Sequence, residues 1–224
     1  MNLSNKKYII VSGYWADEGC IDKADFFDLW WENTMIAKPL LTVIVNAGAR
    51  CLPKEKRGLW IDCTENLGHV HHLITGEKKQ KLCGWTVSTL LGALVAYNCS
   101  ADMIYKEQDC LCFGSWVDAI YKEAEEKKAN MMCGKCDLVV IEQSLVWVRN
   151  ASLLDYVKLI LDMPESDKDL LPELKYRRLV ENGEMAFLPF PGGRNRPLPI
   201  HERCWYAQQI THDEMFELKR RGLV

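Results

Sequence analysis

The run Ala101-Asp102-Met103-Ile104-Tyr105-Lys106-Glu107-Gln108-Asp109-Cys110 passes from an apolar segment straight into two carboxylates, Glu107 and Asp109, that flank one polar residue. In open α/β sheets, ligands settle outside the carboxyl ends of the strands. Carboxylate oxygens at such an end suit a hard cation, Mg²⁺ or Mn²⁺, which can bridge to a diphosphate. A single acid after a strand is commonplace; this spacing in an α/β setting makes a candidate site. A further acid, Glu142, stands inside the apolar run Val139-Val140-Ile141-Glu142-Gln143-Ser144. Burial raises the pKa of a carboxyl group and suits it to work as a base. Asp137 is the second choice for that role.

Other chemistry-bearing residues give weaker patterns. Cys133-Gly134-Lys135-Cys136 is a C-x-x-C pair, with Cys110 and Cys112 nearby in sequence and His69, His71 and His72 as possible nitrogen ligands. A structural zinc wants four ligands, commonly as two well-spaced pairs, and no second C-x-x-C exists. The remaining cysteines show no pairing logic. With no export signal apparent in Met1–Lys7, reduced thiols and a cytosolic compartment are the expectation.

The elements that must position these residues follow from periodicity. Tyr8-Ile9-Ile10-Val11 and Leu41-Thr42-Val43-Ile44-Val45 are short, β-branched and closed by turn residues, as buried strands are. Phe26, Phe27, Trp30 and Ala37 recur at helical spacing between them. Leu59-Trp60-Ile61 and Val70 to Ile74 suggest further short strands. Val87, Leu90, Leu91, Leu94 and Val95 fit an amphipathic helix. Ser115 with Asp118 suggests a capping box for the next helix, and Thr211 with Glu214 suggests one for the last. Residues 138–148 are strand-rich, and a helix from about Ala151 to Met163 stops at Pro164. Residues 164–200 hold most of the prolines and the Pro191-Gly192-Gly193 cluster, so a long loop or lid is expected there. The alternation predicts a single α/β domain over residues 1–224, with a mostly parallel central sheet flanked by helices.

Composition fits this reading. The 224 residues carry a formal net charge of -3 with 48% hydrophobic residues. That is ordinary for a globular domain and argues against general nucleic-acid binding. No run of 18 apolar residues suggests a membrane span.

The order of these features resembles the GT-A glycosyltransferases. A basic, Gly-containing loop (Gly76-Glu77-Lys78-Lys79-Gln80-Lys81-Leu82-Cys83-Gly84) leads into a helix with Ser88 and Gly92-Ala93, then into a strand ending in the acidic motif. In that family a "DXD" motif stands at this place; here Glu107 replaces its first Asp. The resemblance covers roughly residues 8–149. It implies a nucleotide-sugar donor, most fittingly a UDP-sugar, a hydroxyl acceptor on a glycan, glycoprotein or small molecule, and assistance by Mn²⁺ or Mg²⁺. It makes Asp109 the direct metal ligand, with Glu107 beside it and a late histidine, His201 ahead of His212, as a further one. It places the donor's base and ribose over the loop after the first strand. Ser12, Tyr14, Trp15 and Asp17 or Glu18 would then make contacts, together with Gln108. Lys78, Lys79, Lys81, Arg194 and Arg196 become candidates for the diphosphate. It also supports Glu142 as an acceptor-side base. Two alternatives stay open: a degenerate GT-A-like binding module without turnover, and a sugar-1-phosphate nucleotidyltransferase. The latter usually has a Gly-rich basic loop after its first strand, whereas the loop here is acidic and aromatic.

Overall fold

The computed structural model describes residues 6–16, 21–65, 67, 82–136, 141–163 and 171–224, with only the backbone at 21–25. Nine strands and six α-helices are described. The strands are β1 (Tyr8–Tyr14), β2 (Leu41–Asn46), β3 (Leu59–Asp62), β4 (Asp102–Lys106), β5 (Cys110–Phe113), β6 (Met131–Gly134), β7 (Glu142–Val148), β8 (Ala186–Phe187) and β9 (Trp205–Gln208). The helices are α1 (Ile21–Ile36), α2 (Gly84–Asn98), α3 (Trp116–Lys127), α4 (Leu153–Leu161), α5 (Pro172–Glu181) and α6 (His212–Arg220).

Seven strands form the central sheet in the order β3-β2-β1-β4-β7-β6-β8. The neighbours are parallel except at β7, which runs against both β4 and β6. The expected α/β architecture with a mainly parallel sheet is therefore present. Two consequences of this order place the site. From β1 the chain builds outward to β2 and β3, then returns to lay β4 on the other side of β1. The carboxyl ends of β1 and β4 thus flank the point where strand order reverses, where ligands of open sheets bind. The reversed β7 also brings its first residue, Glu142, to that same edge of the sheet.

The two faces of the sheet bury separate cores. One gathers Ile10, Tyr14, Phe27, Trp30, Ile44, Ile104 and Trp147 beneath α1, α3 and the small β5–β9 sheet. The other gathers Ile9, Val11, Val43, Met103, Val146 and Tyr156 beneath α2 and α4. Alternating residues of β1 supply both cores, as the period of two requires. Helix α2 lies close on β1 because the residues it turns inward are small: Ser88, Gly92, Ala93 and Ala96 are all buried. A Cβ on Gly92 would stand 2.3 Å from a Val11 methyl.

Several expectations need correction. The segment read as one long loop over 164–200 contains α5 and β8. Pro172 sits in the first turn of α5, where a missing N–H costs nothing, and Lys175, Tyr176 and Leu179 form its buried stripe. Ser115 precedes α3 but makes no side-chain cap, so the capping box inferred from Ser115 and Asp118 does not form. Thr211 and Glu214 do form a reciprocal capping box at α6. The short strands β5 and β9 carried no readable alternation and emerge only as an antiparallel pair. The strand inferred at Val70 to Ile74 lies outside the described residues.

Candidate functional site

The acidic motif occupies the three-residue link between β4 and β5, at the carboxyl edge of the sheet. Its backbone is fixed from several sides. The Glu107 N–H donates to the Ser144 carbonyl on β7 at 2.8 Å. The Glu107 carbonyl accepts from the Trp30 indole at 2.8 Å and from the Cys110 N–H at 3.0 Å. Just before it, Lys106 is fully buried. Its ammonium donates to Asn33 Oδ1 and Thr34 Oγ1, both at 2.8 Å, and lies 5.1 Å from the Trp30 ring centre. Burial lowers the Lys106 pKa, partly offset by the Cys112 and Cys110 thiols. Lys106 therefore anchors the strand end from beneath.

The three side chains of the motif have different surroundings. The Gln108 amide spans to the loop after β1. Its Oε1 accepts from the Trp15 N–H and its Nε2 donates to the Trp15 carbonyl, both at 2.8 Å. The Glu107 carboxyl is met by the Gln208 amide from β9. Burial is the chief reason its pKa rises well above the ordinary 4.5; the negative charges of Asp109, Glu142 and Glu173 add to it, and Arg194 opposes it. Asp109 is partly exposed at the same edge. Among the described residues, Glu107, Asp109, Glu142 and Glu173 thus crowd one rim around the Arg194 guanidinium.

Glu142 is completely buried. Arg194 Nε donates to its Oε2 at 3.0 Å, and the Arg194 Nη2 stands 3.6 Å from Glu173 Oε1. Burial raises the Glu142 pKa above the carboxylate norm, with Arg194 pulling the other way. The loop carrying Arg194 lies directly over this acid. Gly193 has φ +70°, and a Cβ there would stand 2.8 Å from Glu142 Cγ. The Tyr206 hydroxyl and Gln208 Oε1 next to this cluster are buried and have no hydrogen-bond partner among the described residues.

The sequence-derived candidates separate on this geometry. Glu107, Gln108, Asp109, Glu142 and Arg194 come to one edge, with Trp15 tied to them through Gln108. Tyr14 does not offer a face for stacking. Its ring is 1% exposed, meets Phe27 and Trp60 edge-on, and its hydroxyl donates to the Cys51 carbonyl at 3.1 Å. Ser12 is likewise buried, its hydroxyl turned to the Gly13 carbonyl at 3.2 Å. Arg196 is committed elsewhere: it pairs with Glu214 at the start of α6 and donates to the carbonyls of Gln208 and Gln209 at 3.0 and 3.1 Å. His201 is 80% exposed beside Glu202. Among the described residues, no three His, Cys, Asp or Glu side chains are gathered to hold a metal ion, so Asp109, Glu107 and His201 do not form a ligand set by themselves. The same holds for Cys110, Cys112, Cys133 and Cys136, and none of the described cysteines is in a disulfide. Asp17, Glu18, Lys78, Lys79, Lys81, Asp137, His69, His71 and His72 lie outside the described residues.

Sequence reasoning missed Gln208, Glu173 and Tyr206. Gln208 and Tyr206 arrive on a strand of four residues. Glu173 sits on a helix hidden among prolines; its only local signal was Pro172 followed by an acid, the composition of a helix first turn.

No protein-family model matches the sequence, and no curated protein matches it. Solved structures do. A glycosyltransferase involved in glycosylation of the major capsid of PBCV-1 matches with a TM-score of 0.52 at 11% identity, over 97% of this chain and 100% of that one. A Bacillus anthracis protein assigned as a glucose-1-phosphate thymidylyltransferase matches at 0.49 and 9% identity, over 97% and 95%. The glycosyltransferase GlyE of Streptococcus pneumoniae matches at 0.42 and 12%; the match spans 83% of this chain but 46% of GlyE. Only the first of these likenesses exceeds 0.5, and at its identity it speaks for the fold alone. The chain shares a GT-A-like α/β fold with that glycosyltransferase. None of the helices with described residues is long and apolar enough to cross a membrane.

Proposed function

We propose that this protein is a glycosyltransferase that moves a sugar from a nucleotide-sugar, most fittingly a UDP-sugar, to a hydroxyl acceptor. The observation that carries the reading is the acidic loop Glu107–Asp109, joined to the loop after β1 where strand order reverses. Base and ribose would lie along Trp15, and the diphosphate would lie toward Asp109 and Arg194.

A divalent ion would sit at this edge on few protein ligands. Mg²⁺ and Mn²⁺ at diphosphate sites take one or two carboxylates, with phosphate oxygens and water completing the shell. Asp109 can supply one such carboxylate, and the crowded negative charge around it favours a cation. The ion would neutralise charge on the departing diphosphate. His201 is not needed. Arg194, paired with Glu142 and Glu173, is the candidate for a phosphate contact, whereas Arg196 acts as a strap holding its loop to β9 and α6. Glu142 stays the choice for the acceptor-side base, and its use requires the Gly193 segment to lift from it.

The test is thermal stabilisation by UDP, since a ligand that binds only the folded state raises its melting temperature. UDP should stabilise the protein in Mn²⁺ and much less in EDTA; equal shifts would sink the metal bridge. Asp109→Asn should abolish transfer while the protein remains folded. A second reading, a donor-binding module without turnover, is favoured by one observation: Glu107 and Glu142 are both held by protein partners. Hydrolysis of UDP-sugars in Mn²⁺ separates the two, because a module without turnover would release no UDP.

A further inference from the structure

The middle residue of the acidic motif is a chemical oddity in its place. Its two neighbours are carboxylates, yet Gln108 is a neutral amide, and both ends of that amide are used on a single residue. Trp15 N–H to Gln108 Oε1 and Gln108 Nε2 to Trp15 O, each 2.8 Å, form a closed two-bond ring of the kind one strand makes with the next. The residues joined are 93 apart in sequence. β1 and β4 are hydrogen-bonded neighbours only as far as Val11 and Tyr105. Beyond that pairing, the Gln108 amide ties the backbone of Trp15 to the link after β4. Few side chains could do this. A Glu at 108 could accept from the Trp15 N–H but would present oxygen to the Trp15 carbonyl. Asn carries the same amide one methylene shorter.

We infer that Gln108 is a positioning residue that fixes the distance between two half-sites, the Trp15–Ala16 backbone that would meet the base and ribose and the acid loop that would receive the diphosphate. The inference rests on the donor-site reading above. Its physical content is preorganisation: a ligand that touches both loops gains from their being held in register, whereas a ligand that touches one loop gains nothing. Trp15 is partly exposed, and its backbone is what the amide holds.

The experiment compares wild type with Gln108→Met, which keeps the length and loses both hydrogen bonds. The probes are UDP with Mn²⁺, uridine alone, and pyrophosphate with Mn²⁺, titrated by calorimetry or ligand-observed NMR. The expected result is that Gln108→Met weakens UDP about tenfold or more, because two hydrogen bonds hold the register, while uridine and Mn²⁺-pyrophosphate stay within about twofold of their wild-type affinities. Should Gln108→Met not fold, Gln108→Glu gives the same readout, as it keeps one bond and sets an oxygen against the Trp15 carbonyl. Unchanged UDP affinity in a folded variant would overturn the inference and leave the donor site standing. So would parallel weakening of all three probes, which marks general damage. Absence of UDP binding in the wild type would remove the donor-site reading and this inference with it.

Discussion

At the scale of single residues, the site is a contest between burial and charge. Glu142 sits wholly inside the protein with one guanidinium against it, and burial wins, so its carboxyl holds its proton to higher pH than a free glutamate does. The sign of the stability effect follows. In the unfolded chain the group titrates near its ordinary 4.5. The folded state binds the proton more tightly, so this contribution is complete below the unfolded value and is lost as pH rises through the raised folded one. Glu142→Gln should therefore flatten the fall of melting temperature with pH just above the carboxylate range, readable by thermal scans across pH. If the slope is unchanged, the proton is not held there. The same residue was legible in the sequence as an acid inside an apolar run, because a charge among β-branched residues stands out without any knowledge of the fold. Its partner Arg194 was legible only as a basic residue in a glycine-rich loop. What pairs them is the reversal of β7, which no local pattern encodes.

At the scale of elements, the segment 191–197 carries two arginines with different partners, Glu142 and Glu173 for Arg194 and Glu214 for Arg196. Arg196 ties it down through Glu214 and the carbonyls of Gln208 and Gln209, and Glu214 is at the same time half of the capping box of α6. Loss of these charge-assisted bonds should cost roughly 1.5–3 kcal/mol, so Arg196→Ala should lower stability, measured by denaturant unfolding, with little change in UDP affinity. Arg194→Ala should do the converse: donor binding weakens about tenfold, since one charge-assisted phosphate contact is worth about 1.5–3 kcal/mol, and isothermal titration reads it directly. Equal behaviour of the two variants would dissolve this division of labour. Gly92 offers a third check. A methyl group there meets Val11 at 2.3 Å across the α2–β1 contact, and overpacking of this kind costs about 1–3 kcal/mol, so Gly92→Ala should unfold at lower denaturant. The sequence predicted β1, β2, β4, α1, α2, α3 and α4 because each carries its own period or run. It did not reveal β5, β8 or β9, whose two to four residues pair with strands far away in the chain and need no pattern of their own. α5 was masked by the prolines around it, although Pro172 itself marks a helix start.

At the scale of the whole molecule, the described residues of the candidate site stand along one rim of the sheet. The carboxyl ends of six co-oriented strands and the start of β7 lie at that rim, which brings Glu107, Gln108, Asp109 and Glu142 together. Hydrogen exchange should reflect this polarity: UDP with Mn²⁺ should slow exchange at Trp15 and Glu107–Cys110 and leave Asp102, at the far end of β4, unchanged. Uniform protection would contradict a site at one rim. Among the described residues, the strands at the two ends of the sheet are brief, with four residues in β3 and two in β8. At the β3 end, Lys56 pairs with Asp62 at 3.0 Å, and Arg57 stands beside Glu55 and Asp28. Unpaired backbone on an end strand is a template for another chain, and brevity with a flanking lysine is how sheets refuse that pairing. This charged border therefore bears on colloidal behaviour more than on catalysis: a Lys56→Ala, Arg57→Ala double variant should keep its UDP affinity yet aggregate sooner on heating than the parent protein, as light scattering would show.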